Sequence, residues 1–177
     1  FASGLPGAAT VLDLLDAGSH IVAMDDLYGG SYRLFERVRK RSAGLQASFV
    51  NLADLALLES ALRPETKMIW VETPTNPLLK LVDIQAIADA AHAASPQGGA
   101  LVVVDNTFAT PYLQQPLGLG ADLVVHSLTK YLGGHSDVIG GALVTNNADL
   151  AKRLHYIQNA VGAVPGLVTS HVARGTN

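Results

Sequence analysis

Apolar positions along this chain switch repeatedly between helical and extended spacing. Ala8, Val11, Leu12 and Leu15 recur at i, i+3, i+4 and i+7, which predicts a helix closed by Gly18. Residues 20–24 then read as a short strand, and Leu34, Phe35 and Val38 mark a second helix. Its outer face carries the basic run Arg37-Val38-Arg39-Lys40-Arg41. A strand is predicted over 47–50, followed by a third helix on Leu55, Leu58 and Leu62 with Asn51 as its N-cap. Residues 67–72 form a strong strand, Ile84, Ile87, Ala88 and Ala91 one face of a helix behind Asp83, and 100–105 a continuous apolar strand. Strands over 123–126 and 140–145 precede a closing helix on Leu150, Leu154 and Ile157.

Strands that are apolar throughout and separated by helices imply an α/β domain, a mostly parallel sheet flanked by helices on both faces. Ligands of such sheets bind beyond the carboxyl ends of the strands. The polar segments that leave those ends, 25–28, 72–76, 105–107 and 127–130, are therefore where chemistry is expected.

Composition narrows the classes. With 177 residues, 49% of them apolar and 15% charged, the chain supports one globular domain over 1–177. A net charge of −3 and the lack of a long basic cluster argue against nucleic acid as a partner. There is no cysteine for disulfides or thiolate metal sites, no apolar stretch of membrane-spanning length, and no signal-peptide pattern. A cytoplasmic setting is the expectation. The chain opens on Phe1 without an initiator methionine and stops at Arg174-Gly175-Thr176-Asn177 without completing an element, so a piece of a longer protein, truncated at both ends, is expected.

The run Val124-Val125-His126-Ser127-Leu128-Thr129-Lys130-Tyr131-Leu132-Gly133-Gly134 is the most informative stretch. Most lysines are solvated surface charges, but Lys130 leaves a buried-looking strand beside the hydroxyls of Ser127 and Thr129. That setting suits an aldehyde and a phosphate on one small ring: pyridoxal phosphate held as a Schiff base. A partly desolvated amine becomes a nucleophile, whereas a guanidinium stays charged. The same amine can then move protons at a substrate carbon. Asp105 ends an apolar strand at the same sheet edge, where its carboxylate can keep a pyridine nitrogen protonated. Equally, a carboxylate there can hold magnesium in a nucleotide-binding protein or cap a turn.

Other candidates are individually weak. Ser3-Gly4-Leu5-Pro6-Gly7 opens the first helix, so its amides suit a phosphate, with a plain turn as the alternative; it matches neither the P-loop nor the dinucleotide fingerprint. The Tyr28 ring can lie flat on a heteroaromatic ligand or simply pack. Arg33 is placed to reach an anionic substrate group, and Asn76, between Pro74 and Pro77, to present an amide from a rigid loop. His126, His135 and Asp137 match no metal-ligand spacing, and no metal is expected.

Together these stretches resemble the pyridoxal-phosphate enzymes of cysteine and methionine metabolism: cystathionine γ-lyase, cystathionine γ-synthase and methionine γ-lyase. The resemblance rests on Phe1-Ala2-Ser3-Gly4-Leu5, Asp26-Leu27-Tyr28-Gly29-Gly30, Val71-Glu72-Thr73-Pro74-Thr75-Asn76-Pro77, Val104-Asp105-Asn106-Thr107-Phe108 and His126 through Asp137, in the family's order. It implies an aspartate-aminotransferase-like (fold type I) large domain, with Lys130 bonded to the cofactor and acting with Tyr28 in catalysis. Asp105 would sit on the pyridine nitrogen and Tyr28 on the ring. Ser127, Thr129 and the amides of Gly4 and Leu5 would hold the phosphate, and Arg33 and Asn76 would lie toward an amino-acid substrate. It further implies elimination or replacement at the γ- or β-carbon of a homoserine- or cysteine-derived amino acid, in a homotetramer. Pro6-Gly7 departs from the family's alanines and removes an N–H near the phosphate end. Gly30 stands where methionine γ-lyases typically carry cysteine, which leans the resemblance toward cystathionine γ-lyase or γ-synthase. The neighbouring subunit's phosphate ligands and the arginine for the substrate carboxylate lie outside the matching runs. A non-catalytic product that keeps only the cofactor site is the competing expectation.

Overall fold

The computed structural model describes residues 1–94 and 99–166, so the chain end at 174–177 lies outside the described residues. Six strands form one sheet in the order β2-β1-β3-β4-β5-β6. They are β1 His20–Met24, β2 Gln46–Val50, β3 Thr66–Glu72, β4 Leu101–Asp105, β5 Leu123–Ser127 and β6 Gly141–Val144. The first five run parallel, and β6 returns antiparallel beside β5. The order reverses at β1, with β2 to one side and β3 to the other, and this kind of switch opens a crevice at the carboxyl edge.

Period-two alternation sorts the strand residues between two cores. On one face Ile21, Ala23, Met68, Trp70, Val103 and Val125 pack against α1 (Gly4–Leu12), Phe35 and the closing helix Ala148–Val161. Phe35 meets Trp70 edge-on at 5.1 Å, and both are buried. Burying each such ring contributes on the order of 3 kcal/mol. On the other face Val22, Ile69, Val71, Val102 and Val104 pack against α4 (Leu55–Ala61) and α5 (Ile84–Ala93). Among the described residues no helix is long and apolar enough to cross a membrane.

Three local expectations need correction. Asn51 does not cap α4; its Oδ1 accepts from Ala53 N–H in a turn, and Asp54 caps the helix by accepting from Ala56 N–H at 3.0 Å. The helix also stops one residue before Leu62, which turns extended as the C-cap, two positions ahead of Pro64. The second helix is α2 (Gly29–Arg33) and α3 (Lys40–Ala43) joined by a π-helical stretch, Leu34–Arg39. Leu34 and Phe35 are buried, but Val38 is 49% exposed. A π turn closes with an i→i+5 bond, so the face predicted from 3.6-residue spacing rotates away after Phe35.

At the amino edge of the sheet, buried His20 bonds Thr66 Oγ1 at 2.8 Å and Ser48 Oγ at 2.9 Å, tying β1 to both its neighbours. Burial, aided by the nearby Arg63 charge, holds the imidazole below its ordinary pKa. The folded state therefore prefers neutral His20. Its contribution is complete above the unfolded value of about 6.5 and is lost as pH falls through the lower folded value. Urea midpoints of the intact protein should fall on acidification from about 6.5 toward that lower value and then level off, less so in His20→Gln.

Candidate active site

The carboxyl edge assembles from the bottom upward. Glu72 on β3, Asp105 on β4 and Val125 on β5 are register partners, so their side chains leave the same face side by side. Ser127, two residues past Val125, follows on that face. The start of α1 lies directly against it: a Cβ on Gly4 would stand 3.0 Å from Ser127 Cβ. Gly141 on β6 is equally constrained, since a Cβ there would overlap the backbone carbonyl of Ser3. Backbone cannot swing aside as a side chain does. Gly141→Ala should therefore destabilise the intact protein by ~1–3 kcal/mol, read as a lowered melting temperature.

These elements enclose an open cavity of about 260 Å³ whose lining includes Gly4, Leu5, Tyr28, Asn76, Asp105, Ser127, Thr129 and Lys130. Eight of the nine residues singled out from sequence thus come together, from five separate segments. The exception is Arg33, which does not line the cavity and is exposed on α2. Ser31 is the α2 residue that turns inward, and Arg33 follows it by roughly 200° around the helix.

Asp105 Oδ1 accepts from the Thr107 hydroxyl at 2.6 Å and from Thr107 N–H at 3.1 Å. The Thr107 oxygen in turn accepts from Ser127 N–H at 2.9 Å, so one threonine sets the positions of both Asp105 and Ser127. Burial pushes the Asp105 carboxyl above the ordinary carboxylate range, against the opposing pull of the Thr107 bonds. Such a group gains from a cation or strong donor brought to its cavity side. Thr129 Oγ1 lies between the backbone groups of Gly140, accepting from its N–H at 3.2 Å and donating to its carbonyl at 3.3 Å. Lys130 lines the cavity but remains exposed, so the desolvation expected for it is not supplied by the described residues alone.

Pro6 occupies the third position of α1 without interrupting it, and the amides of Gly4 and Leu5 ahead of it remain at the cavity. The Tyr28 ring lies over Gly30, where any Cβ would collide with it. His126 is buried, with Nδ1 lacking a partner among the described residues and burial lowering its pKa, while His135 is exposed and its Nδ1 bonds the Gly133 carbonyl at 2.9 Å. No group of three potential metal ligands occurs among the described residues.

Comparison with known proteins decides the family. The family described as Cys/Met metabolism PLP-dependent enzyme matches residues 1–176. The chain belongs to this family. It is 56% identical over 165 residues to a cystathionine beta-lyase of Coxiella burnetii, a match covering 93% of this chain and 42% of that relative. It is 52% identical to a probable cystathionine gamma-synthase of Herpetosiphon aurantiacus, covering 94% of this chain and 50% of that one. A crystal structure of cystathionine gamma-lyase from Lactobacillus plantarum, complexed with L-serine, superposes with a TM-score of 0.93 at 47% identity, over 98% of this chain and 44% of that one. The chain thus spans about half the length of these relatives or somewhat less.

The fold is the aspartate-aminotransferase-like, type I arrangement, and the family's cofactor is pyridoxal phosphate. The residues present fit it. A half-buried carboxylate held by Thr107, a helix N-terminus beside a serine hydroxyl, an aromatic ring and one amine line a single cavity. The magnesium reading of Asp105 gives way to the family's cofactor, pyridoxal phosphate.

Glu72, Thr107, Ser31 and Phe108 also line the cavity and had been given no role. Two of them sat in segments already marked as strand ends. What was missing was register, which places Glu72 beside Asp105.

Proposed function

We propose that this chain is the cofactor-binding domain of a pyridoxal-phosphate-dependent carbon–sulfur lyase or transferase of transsulfuration. Cystathionine or an activated homoserine would be its substrate, with elimination or replacement at the γ-carbon, in a cytoplasmic homotetramer. The observation that carries this reading is the placement of Lys130, Asp105 and the α1 N-terminus around one cavity of small-ligand size. Names of similar proteins support both lyase and synthase, including a β-lyase.

Pyridoxal phosphate supplies, when bound, an aldehyde that condenses with amines and a ring that accepts charge from a substrate's α-carbon. The chain supplies the rest. Asp105 holds the pyridine nitrogen protonated, itself oriented by Thr107. The amides of Gly4 and Leu5, with the Ser127 and Thr129 hydroxyls, hold the phosphate where the helix dipole favours negative charge. Tyr28 covers the ring. Lys130 would hold the cofactor at its aldehyde, and the same amine, when free, would serve as the base at a substrate's α-carbon. Asn76 orients the ligand from the loop after β3.

Borohydride reduction of the full-length protein followed by peptide mapping should place a pyridoxyl group on Lys130. A label on another residue would remove the basis of the reading. A second reading, in which this chain alone binds cofactor without turnover, is favoured by one observation: among the described residues no arginine lines the cavity to hold a substrate carboxylate. Sustained α-keto acid release from cystathionine by the isolated 177-residue chain would reject that second reading.

A further inference from the structure

Glu72 is buried at the end of β3, in register with Asp105 and two positions along from Trp70 on the same face. Its two carboxylate oxygens are used separately. Oε2 accepts from Tyr28 N–H at 2.8 Å, in the loop after β1, and Oε1 accepts from Asn76 N–H at 2.9 Å, in the loop after β3. Those are the two loops that carry the ring-covering tyrosine and the cavity amide. A second carboxylate reinforces the same union from outside: Asp26 Oδ2 accepts from the Thr75 hydroxyl and from Leu78 N–H at 2.9 Å. Lys80, five residues beyond Thr75, pairs with Asp25 through both oxygens at 2.9 Å.

A buried carboxylate is a demanding clamp. Burial, the Asp105 charge and, more weakly, the Asp26 charge push the Glu72 carboxyl up to about 8, against the two backbone donors that favour its ionised form. No side-chain cation pairs with it among the described residues. A group held in so unfavourable a setting, and bonded to two amides rather than to solvent, is explained by what it positions.

We propose that Glu72 is a positioning residue: one carboxylate that fixes Tyr28 and Asn76 relative to each other across the cavity and sets the spacing between them that a bound ring meets. The proposal rests on the functional reading above and assigns it a cavity-lining residue that acts through the two loops it joins. A glutamine cannot replace this clamp, because it offers one oxygen where two N–H groups need acceptors; either Tyr28 N–H or Asn76 N–H must then face an NH₂.

The test uses full-length holoenzyme. Wild type is first checked for pyridoxyl on Lys130 and for turnover; failure there overturns the functional reading and this proposal with it. In Glu72→Gln, cofactor should remain on Lys130 while kcat/KM falls about 100-fold, the scale of an ångström's misplacement. The pH titration of the bound cofactor's absorbance should shift as well. A role confined to stability would leave kcat per cofactor-loaded site and that titration unchanged well below the melting temperature. Wild-type values for both in Glu72→Gln overturn the proposal alone. Should Glu72→Gln not fold, Asp26→Asn, which loosens the same two loops from a less buried site, should lower kcat/KM in the same direction by about 5- to 10-fold, the loss expected of one hydrogen bond. An Asp26→Asn enzyme with wild-type kcat/KM then overturns it.

Discussion

Replacing Lys130 by arginine in the full-length protein should reduce kcat by at least ~1,000-fold and abolish borohydride labelling, with the melting temperature of the cofactor-free form nearly unchanged. The side chain is exposed and carries no ion pair among the described residues, so its removal leaves no buried partner there unsatisfied. Arginine keeps the positive charge near the cavity but cannot give up its proton to act as nucleophile or base, so two functions disappear together. Lys130→Ala should behave alike, and added primary amines should restore part of its activity by acting as a free base. Stopped turnover measured beside the labelling distinguishes the two losses. Full activity in Lys130→Arg would rule out this lysine as the anchor.

Asp105→Asn should move stability and cofactor affinity in opposite directions. The Asp105 carboxyl is pushed up by burial, so in the cofactor-free fold its ionised form is disfavoured. Such a group binds protons more tightly folded than unfolded, and stability declines as pH rises from the ordinary carboxylate range toward the raised folded value. Asparagine removes that decline while keeping an oxygen for the Thr107 bonds, so the cofactor-free variant should melt higher than wild type at neutral pH. The bound pyridine nitrogen, however, loses the charge that keeps it protonated. Truncating one partner of a buried charge pair commonly costs 2–5 kcal/mol, so cofactor affinity and kcat/KM should each fall ~100- to 1,000-fold. Absorbance titration gives the first and calorimetry the stability; unchanged affinity would remove Asp105 from the pyridine nitrogen.

The two-period pattern made the layered sheet legible because its strands are buried on both faces and its helices are not. The site was legible for a related reason. In a parallel sheet, whatever leaves the carboxyl ends converges, so Tyr28, Asn76, Asp105 and Lys130 could be grouped before any contact was known. Arg33 does not line the cavity because its direction depends on the turn at which α2 begins, and Val38 leaves the apolar face because a π-helical stretch inserts a residue that no apolar pattern announces. Asn51 lost its capping role to Asp54, since both residue types cap and three positions separate them. Glu72 sat unremarked in a motif. Its part depends on which two amides it meets, 44 positions away and 4 positions away, and that is a property of register rather than of residue type.

The seat of α1 against Ser127 and Gly141 also bears on how the protein is made. Ser3 and Gly4 meet residues well over a hundred positions later in the chain, and β5 and β6 must be in place before the helix start has anything to rest on. Contacts of such sequence separation form late, because the loop that joins them must be closed before they reward it. During synthesis the start of the first helix therefore waits for its seat until β5 and β6 have emerged. The phosphate end of the cavity closes only once β5 and β6 are in place, so a ligand held there would stabilise the assembled edge of the sheet over states that lack it.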